Sequence, residues 1–188
     1  MALRVVGGHH RGRRLVAPPG ADTRPTSDRA REAIFNILGP LEGLRVLDLC
    51  AGSGAMGIEA LSRGAAWADL VDRSGRACAV IRRNLEELAL ARSAQVHRAE
   101  ASAWLRDRPA VEPYHVVIAD PPYASDALEE IVAALAGRDD LVAEDGRLVL
   151  EAGGEDMPEP PLNLYVCARR RKYGRAHVGI FERIASDR

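Results

Sequence analysis

Short apolar runs alternate with amphipathic stretches along most of the chain. The runs are nearly continuous, as in strands buried on both faces, and the stretches between them have helical spacing. The predicted strands are 44–50, 67–72, 94–99, 114–120 and 146–152, and the predicted helices are 55–64, 75–90, a short one near 101–107, and 126–137. This order predicts a parallel sheet with helices on both faces, which binds ligands beyond the carboxyl ends of its strands.

The alternation stops at the C-terminal end of the chain. Residues 162–174 and 176–185 both have strand character, and they are joined at Gly174. No helix fits between them, so we expect an antiparallel pair. The fold class is therefore α/β, with a mostly parallel seven-stranded sheet that ends in an antiparallel C-terminal hairpin.

The N-terminal segment divides into two elements. The runs "LRVVGG" and "RRLVA" flank "GHHRG" and predict a small β-hairpin with a basic tip. Residues 26–38 predict a helix that begins at Thr26 or Ser27, either of which is a good N-cap residue. We therefore divide the chain into an arm, residues 1–24, and a main domain, residues 25–188.

Length and composition indicate an ordinary globular protein. Of the 188 residues 47% are apolar and 28% are charged, and no apolar run reaches the roughly 20 residues of a membrane span. The N-terminus lacks the apolar segment of a signal peptide, so we expect a cytoplasmic protein. Cys50, Cys78 and Cys167 are too widely spaced for a disulfide framework or a zinc site, and we expect them to be small buried residues.

The net charge of −1 conceals a strong segregation of charge. Residues 1–31 carry seven arginines and two aspartates, and residues 169–188 carry seven basic and two acidic residues. The region between them is acidic. Positive ends around an acidic body predict a surface that contacts phosphates, although solvated charge at two termini is the alternative.

A glycine-rich turn follows the first predicted strand. Residues 52–57 match G-x-G-x-x-G, the pattern of a dinucleotide-binding turn, but Asp48 precedes Gly52 by four residues. A carboxylate is unfavourable beside a pyrophosphate and favourable beside the sulfonium and amino groups of S-adenosylmethionine. Asp72, at the end of the second strand, can accept hydrogen bonds from both ribose hydroxyls of either NAD or S-adenosylmethionine. A turn that binds no ligand remains a further alternative.

A second motif follows the strand 114–120. Asp120, Pro121, Pro122 and Tyr123 form D-P-P-Y, a rigid loop that presents acceptors beside an aromatic ring. An exocyclic amino group of a flipped-out base requires these features, because its NH₂ donates to the acceptors while the base stacks on the ring. We therefore expect methyl transfer to an amine, with Asp120 and the Pro121 carbonyl as acceptors and neither a covalent intermediate nor a metal.

The sequence resembles a known family along nearly its whole length. The segments "RVVGGHHRGRRL", "TRPTSDRAREAIFNIL", "LDLCAGSGAMGIEALSRGA" and "ADPPY" are similar to the bacterial 16S rRNA guanine-N2 methyltransferases, the RsmD family of class I S-adenosylmethionine-dependent methyltransferases. The resemblance implies a Rossmann-like methyltransferase fold and S-adenosyl-L-methionine as cofactor. It also implies that the substrate is the N2 amine of one guanine in 16S rRNA, within a small ribosomal subunit or an assembly intermediate.

The resemblance also implies roles for individual residues. The catalytic loop is Asp120 to Tyr123, and the cofactor-binding positions are Asp48, Ala51, Gly52, Ser53, Gly54, Asp72, Arg73, Glu100 and Ala101. The resemblance implies that Glu100 faces the adenine amino group. Aspartate or asparagine is more usual at this position of the family. Asp72 stands where glutamate is frequent. Arg73 either covers the adenine face or is solvated.

The arm resembles the RNA-gripping element of the family. Together with the charge segregation this predicts RNA contacts at Arg4, Arg11, Arg13, Arg14, Arg24, Arg169, Arg170, Arg171, Lys172 and Tyr173. Tyr173 either stacks on a base or fills the end of the sheet. We expect a monomer without membrane association. Two other functions remain open: an adenine-N6 methyltransferase acting on RNA or DNA, and a non-catalytic RNA-binding assembly factor.

Overall fold

A seven-stranded sheet forms the centre of the molecule. The computed structural model describes residues 3–19, 27–108, 112–123, 125–154, 157–161 and 163–184. The strands are β1 Arg45–Leu49, β2 Trp67–Asp72, β3 Ala94–Arg98, β4 Tyr114–Ala119, β5 Val142–Ala152, β6 Tyr165–Tyr173 and β7 Ala176–Arg183. Their order is β3-β2-β1-β4-β5-β7-β6, and β7 alone runs antiparallel to its neighbours, β5 and β6. The predicted fold class is confirmed.

Five α-helices cover the two faces of the sheet. They are α1 Asp28–Leu38, α2 Ala55–Ser62, α3 Gly75–Glu87, α4 Ala101–Asp107 and α5 Ala127–Leu135. The helices α1, α2 and α3 share one core with residues such as Ile58 and Ile81. The helices α4 and α5 share the other core, which contains Leu105 and Ile131. This is the two-layer covering that alternating strands and helices produce.

The strand β5 is longer than the sequence pattern indicated. It begins at Val142, four residues before the predicted start, and its register with β4 shifts between the pairs Tyr114–Val142 and Val116–Arg147. Glu144, Asp145 and Gly146 lie at this irregularity, so the first part of the strand lacks an apolar alternation. A bulge of this kind breaks the alternation of apolar and polar residues by which a strand is recognised in a sequence.

The helix α2 connects the two edges of the sheet. It begins directly after β1, at the edge formed by the carboxyl ends of the parallel strands, which we call the carboxyl edge. Its far end lies beside the residues that precede β1, because Gly43 N–H donates to the Gly64 carbonyl at 3.1 Å. We call that opposite side the amino edge.

The helix α1 begins at Ser27, one of the two predicted cap residues. Ser27 Oγ accepts a hydrogen bond from Ala30 N–H at 3.2 Å, as an N-cap side chain does. Thr26, the other candidate, lies outside the described residues. At the other end of α1 the Leu38 carbonyl accepts from Arg147 Nη1 at 2.6 Å.

The arm packs against the main domain. A single antiparallel bridge joins Arg4 with Arg14. Val5 and Leu15 are buried in the core beneath α1, α2 and α3. The arm therefore shares a hydrophobic core with the domain that it precedes.

One prediction about the cysteines is wrong. Cys78 is buried and Cys50 is half-buried, but Cys167 is exposed. Cys167 lies on β6, which is one of the two edge strands of the sheet. An outermost strand has one neighbour instead of two, so its side chains are covered less than those of central strands.

Candidate active site

The glycine turn lies between β1 and α2 at the carboxyl edge. Cys50, Gly52 and Gly54 all have positive φ, at 61°, 57° and 78°. A Cβ on Gly54 would approach Ile81 Cγ2 to 3.1 Å and Leu70 Cδ2 to 3.2 Å, so a side chain here would be crowded as well as strained by the positive φ. The turn therefore brings bare backbone to the edge where a ligand binds.

Asp48 is buried beneath the turn. Its Oδ2 accepts a hydrogen bond from Gly57 N–H at 2.8 Å, which ties β1 to the first turn of α2. Burial raises the pKa of Asp48 to about 7, and the hydrogen bond from Gly57 opposes this shift. The carboxyl group is thus poised between its neutral and ionised forms, and a cation placed above the turn would favour ionisation.

Asp72 joins the turn to the end of β2. Its Oδ2 accepts from Gly52 N–H at 2.8 Å, and its Oδ1 accepts from Ser74 N–H at 2.8 Å. Each carboxylate oxygen has a second acceptor position beyond the one that the backbone uses. The side chain is thus held in place with acceptor capacity for two further donors.

Cys50 lies amid four carboxylates. Burial raises the pKa of its thiol to about 12, and the negative charges that add to the shift belong to Asp72, Glu100, Asp48 and Asp120. Asp48 and Asp72 lie on β1 and β2, Glu100 and Asp120 follow β3 and β4, and the four acids converge on one point of the carboxyl edge. The surroundings of the turn are therefore strongly electronegative.

The remaining predicted cofactor positions lie around this point. Arg73 and Glu100 face each other across the next part of the edge, with Nη1 and Oε2 3.7 Å apart, and the Arg73 side chain is 70% exposed. Ala101 is buried at the start of α4. Ala51 and Ser53 are buried within the turn.

The loop Asp120 to Tyr123 follows β4, the strand next to β1. Leu49 pairs with Ala119 in that sheet, so the loop lies beside the glycine turn. Pro121 is buried, whereas Pro122 and Tyr123 are exposed. The structure therefore brings the two motifs together at one edge, as the order of the strands requires.

Tyr123 is held by two residues that the sequence patterns did not single out. Its hydroxyl donates to Glu151 Oε1 at 2.6 Å. Partial burial raises the pKa of Tyr123 above its usual range, and the hydrogen bond to Glu151 and the charges of Glu151 and Asp120 raise it further. The ring lies against Gly153, where an added Cβ would come within 2.4 Å of Tyr123 Cγ.

A cleft opens beside this loop. Its lining residues come from the loop, from the start of α5 and from the segment after β5, and they are Pro121, Pro122, Tyr123, Ser125, Leu128, Glu129, Glu151, Ala152, Gly153, Gly154 and Pro158. Glu151 is 5% exposed. The sequence did contain an indication of Glu151, because an acid at the end of a buried strand reaches the carboxyl edge.

The arm meets the main domain along α2 and α3. Val6 N–H donates to the buried Glu59 Oε2 at 2.8 Å, and His9 N–H donates to the Ser62 carbonyl at 2.7 Å. Ser62 is the last residue of α2, so the tip of the arm lies at the amino edge, away from the glycine turn and the D-P-P-Y loop.

The predicted RNA-binding arginines of the arm are exposed. Arg4 Nε pairs with Asp28 Oδ2 at 2.8 Å, and Arg13 Nη2 donates to the Glu87 carbonyl at 3.2 Å. Arg11 and Arg14 are also exposed. Arg24 lies outside the described residues.

The C-terminal basic residues lie on β6, which runs towards the carboxyl edge. Arg169, Arg171 and Lys172 are exposed, and Arg170 pairs with Glu159 and lies 5.9 Å from the centre of the Phe181 ring. Tyr173 packs partly against the core that contains α1. The two basic segments are therefore separate surfaces, and only β6 leads to the edge that holds the glycine turn.

The described part of the chain contains neither a cluster of metal-binding side chains nor a membrane-spanning helix. Its histidine, cysteine and acidic side chains form no group of three or more that could hold a metal ion. None of the helices described combines the length and apolar character that crossing a membrane requires.

Comparison with known proteins places this arrangement in a family. Residues 3–182 match the family described as conserved hypothetical protein 95. "Ribosomal RNA small subunit methyltransferase D" of Escherichia coli (strain K12) is 35% identical over 185 residues, covering 97% of this chain and 91% of the relative. The solved structure of yhhF from Escherichia coli has a TM-score of 0.84 at 34% identity, covering 99% and 100% of the two chains.

A more distant structure shares the fold alone. SMU.776, crystallised in complex with SAH, has a TM-score of 0.65 at 16% identity and covers 82% of this chain and 48% of its own. The structural neighbours are class I methyltransferases, in agreement with the sheet order β3-β2-β1-β4-β5-β7-β6.

Proposed function

Because this chain belongs to the conserved hypothetical protein 95 family, which includes ribosomal RNA small subunit methyltransferase D, we propose that it methylates small-subunit ribosomal RNA. The proposed reaction transfers a methyl group from S-adenosyl-L-methionine to the exocyclic N2 amine of a guanine. The observation that carries the proposal is the meeting of the electronegative glycine turn and the D-P-P-Y loop on neighbouring strands, β1 and β4.

The residues around the glycine turn fit this cofactor. Its sulfonium and ammonium groups are cationic, and the four acids around Cys50 supply the matching negative charge. Asp72 has acceptor capacity for two ribose hydroxyls while it holds Gly52 and Ser74. Glu100, which forms an ion pair with Arg73, is the proposed acceptor for the adenine amino group. When bound, the cofactor supplies an electrophilic methyl group.

The D-P-P-Y loop fits an amine as acceptor. Asp120 and the Pro121 carbonyl accept the two N–H bonds of the target amine, which aims the nitrogen lone pair at the methyl carbon. Tyr123, with its hydroxyl fixed on Glu151, offers one face of its ring to the base. The rate acceleration then arises from positioning and from fixed acceptors, and the methylated nitrogen loses its proton late.

The basic surfaces fit a large polyanion. The arginines of the arm and those of β6 lie on separate parts of the molecule, so a substrate that touches both must be extended or folded around the domain. Ribosomal RNA within a small-subunit particle meets that requirement, and its phosphates would release counterions on binding.

The test is methyl transfer from tritiated S-adenosylmethionine to small ribosomal subunits, to naked ribosomal RNA and to DNA, with digestion to nucleosides. We expect label in N2-methylguanosine from subunits or their RNA. Label in N6-methyladenine, or cofactor binding without transfer to any of the three, would contradict the proposal. Asp120→Ala should bind the cofactor normally and transfer no label.

A further inference from the structure

We infer that Glu151 selects guanine as the target base, by accepting a hydrogen bond from its N1–H while Asp120 and the Pro121 carbonyl hold the N2 amine. This inference rests on the proposed function and assigns the choice of base within it. Glu151 is a specificity-determining residue in this reading, and Tyr123 is the group that positions it.

The location of Glu151 supports this role. Ala119 pairs with Leu150 in the parallel ladder between β4 and β5, so Asp120 and Glu151 each stand one residue beyond that pair, at the ends of neighbouring strands. Glu151 also lines the cleft together with Pro121, Pro122 and Tyr123. A base whose amine reaches Asp120 therefore has its adjoining ring atom near Glu151.

The carboxylate is held firmly but retains acceptor capacity. Its side chain is 5% exposed, and Oε1 accepts the Tyr123 hydroxyl at 2.6 Å. A carboxylate has about four lone-pair positions, so it can accept hydrogen bonds from several donors at once. Fixing one oxygen on Tyr123 restricts where the second can lie.

The chemistry of the bases then decides which one fits. Guanine carries two adjacent donors on this edge, N1–H and N2–H₂, and both can meet acceptors. Adenine carries its N6 amine beside N1, which is itself an acceptor, and cytosine carries its N4 amine beside N3, another acceptor. In adenine or cytosine, the ring nitrogen would point a lone pair at the buried carboxylate, which repels it and forms no hydrogen bond with it. A site built to accept a hydrogen bond at this position therefore rejects these bases strongly.

Glu151→Gln is the informative substitution. Glutamine can accept from guanine N1–H through its oxygen or donate to a base acceptor through its amide nitrogen, and it can still accept from Tyr123. Glu151→Gln should therefore lose more of its preference for guanine over other bases than of its rate of methyl transfer. Glu86 is exposed on α3 and does not line the cleft, so Glu86→Gln is the charge-matched control.

The experiment uses small subunits reconstituted from ribosomal RNA whose target guanine, located with the wild-type protein, is replaced by 2-aminopurine or adenine. The base 2-aminopurine keeps the N2 amine but has an acceptor at N1. We expect the kcat/KM of the wild-type protein to be lower by at least roughly 100-fold on 2-aminopurine than on guanine, and Glu86→Gln to behave like wild type. In Glu151→Gln the ratio of the two kcat/KM values should shrink to about tenfold or less.

The outcomes separate the inference from the proposed function. Equal use of guanine and 2-aminopurine by wild-type protein overturns the inference and leaves the proposed function standing, whereas no methylation of any guanine-containing particle overturns both. Cofactor affinity and urea unfolding of Glu151→Gln establish that it is folded. If it is not, Tyr123→Phe replaces it, because losing the hydroxyl that holds Glu151 should also narrow the gap between the two bases.

Discussion

Asn84 binds both backbone groups of Val16, a residue 68 positions away along the chain. Its Oδ1 accepts from Val16 N–H at 2.8 Å, and its Nδ2 donates to the Val16 carbonyl at 2.9 Å. The same Nδ2 donates to the Ser53 carbonyl in the glycine turn at 3.0 Å. One buried side chain on α3 therefore connects the arm with the turn.

Asn84→Ala should loosen both the arm and the turn. It leaves the Val16 groups and the Ser53 carbonyl without their protein partner, at a cost of about 1–3 kcal/mol for each buried group that stays unsatisfied. We expect the free energy of unfolding in urea to fall by about 3 kcal/mol and S-adenosylhomocysteine to bind more weakly. The exposed Asn163 provides the control, Asn163→Ala. Unchanged stability and affinity in Asn84→Ala would show that the connection carries no energy.

Asp72→Asn should weaken cofactor binding, and it should also lower the free energy of unfolding by about 1–3 kcal/mol. The amide keeps one acceptor oxygen and places NH₂ against the N–H of Gly52 or Ser74, and it removes the negative charge. Hydrogen bonds to a charged acceptor are worth about 1.5–3 kcal/mol, so the Kd for S-adenosylhomocysteine should rise roughly 10- to 100-fold in calorimetry. Asp145→Asn, exposed on β5, should bind as wild type does.

The raised pKa of Asp48 makes the stability of the ligand-free protein depend on pH. Its ordinary value is 3.8 and its folded value is about 7. Between these values the folded state holds a proton that the unfolded state has released, so the contribution of Asp48 to stability is greatest near pH 4 and is lost as the pH rises towards 7.

The comparison that isolates this effect is wild type against Asp48→Asn. Both proteins are unfolded in urea at intervals from pH 4.5 to 8. The free energy of unfolding of the wild type, relative to that of Asp48→Asn, should fall by up to about 1.4 kcal/mol per pH unit below pH 7 and then level off. Affinity for the cationic cofactor should change in the opposite sense, rising with pH as Asp48 ionises. Parallel stability curves for the two proteins would contradict the assignment.

Gly153→Ala should disturb the target-base cleft and spare the cofactor. The new Cβ would lie 2.4 Å from Tyr123 Cγ, so the ring must move from its place beside Glu151. Stacking on an aromatic ring is worth about 1–3 kcal/mol per base, which predicts a drop of roughly 10- to 100-fold in kcat/KM for RNA. Gly154→Ala is the neighbouring control, because a Cβ there meets nothing within 4 Å. Equal losses in both variants would count against the placement of Tyr123.

The basic surfaces should contribute to RNA affinity through phosphates. Arg11→Ser with Arg14→Ser in the arm, and Arg169→Ser with Arg171→Ser on β6, should each weaken binding and lower the slope of log K against log salt by about one per phosphate contact removed. Arg92→Ser with Arg106→Ser, two exposed arginines elsewhere, is the charge-matched control. A slope that falls equally in all three double variants would indicate non-specific attraction only.

The regular part of the fold could be predicted because burial imposes a pattern on the sequence. Continuous apolar runs marked β1, β2 and β4, and their order brought the glycine turn and the D-P-P-Y loop to one edge. The first residues of β5 could not be predicted, because the irregular register with β4 breaks the alternation there.

The sequence predicts candidate site residues where a motif is local in the chain, and it does not predict contacts that are assembled across strands. Asp48 and Asp120 follow from spacing. Glu151 and Gly153 contact Tyr123 from a distant part of the chain. No sequence pattern links positions 123 and 151, so the contact could not be predicted. The hydrogen bonds of Asn84 are of the same kind.

The position of the arm sets a requirement for the shape of the substrate. Its tip contacts Ser62 at the amino edge, and the D-P-P-Y loop lies at the carboxyl edge, so the eight residues of α2, about 12 Å, separate the two levels. A substrate RNA that contacts both has to span at least that distance, either as an extended strand or as two parts of a folded molecule. The arm would thus add a requirement on the length or shape of the substrate to the choice of base, because a nucleotide too short to leave the cleft contacts only one of the two surfaces.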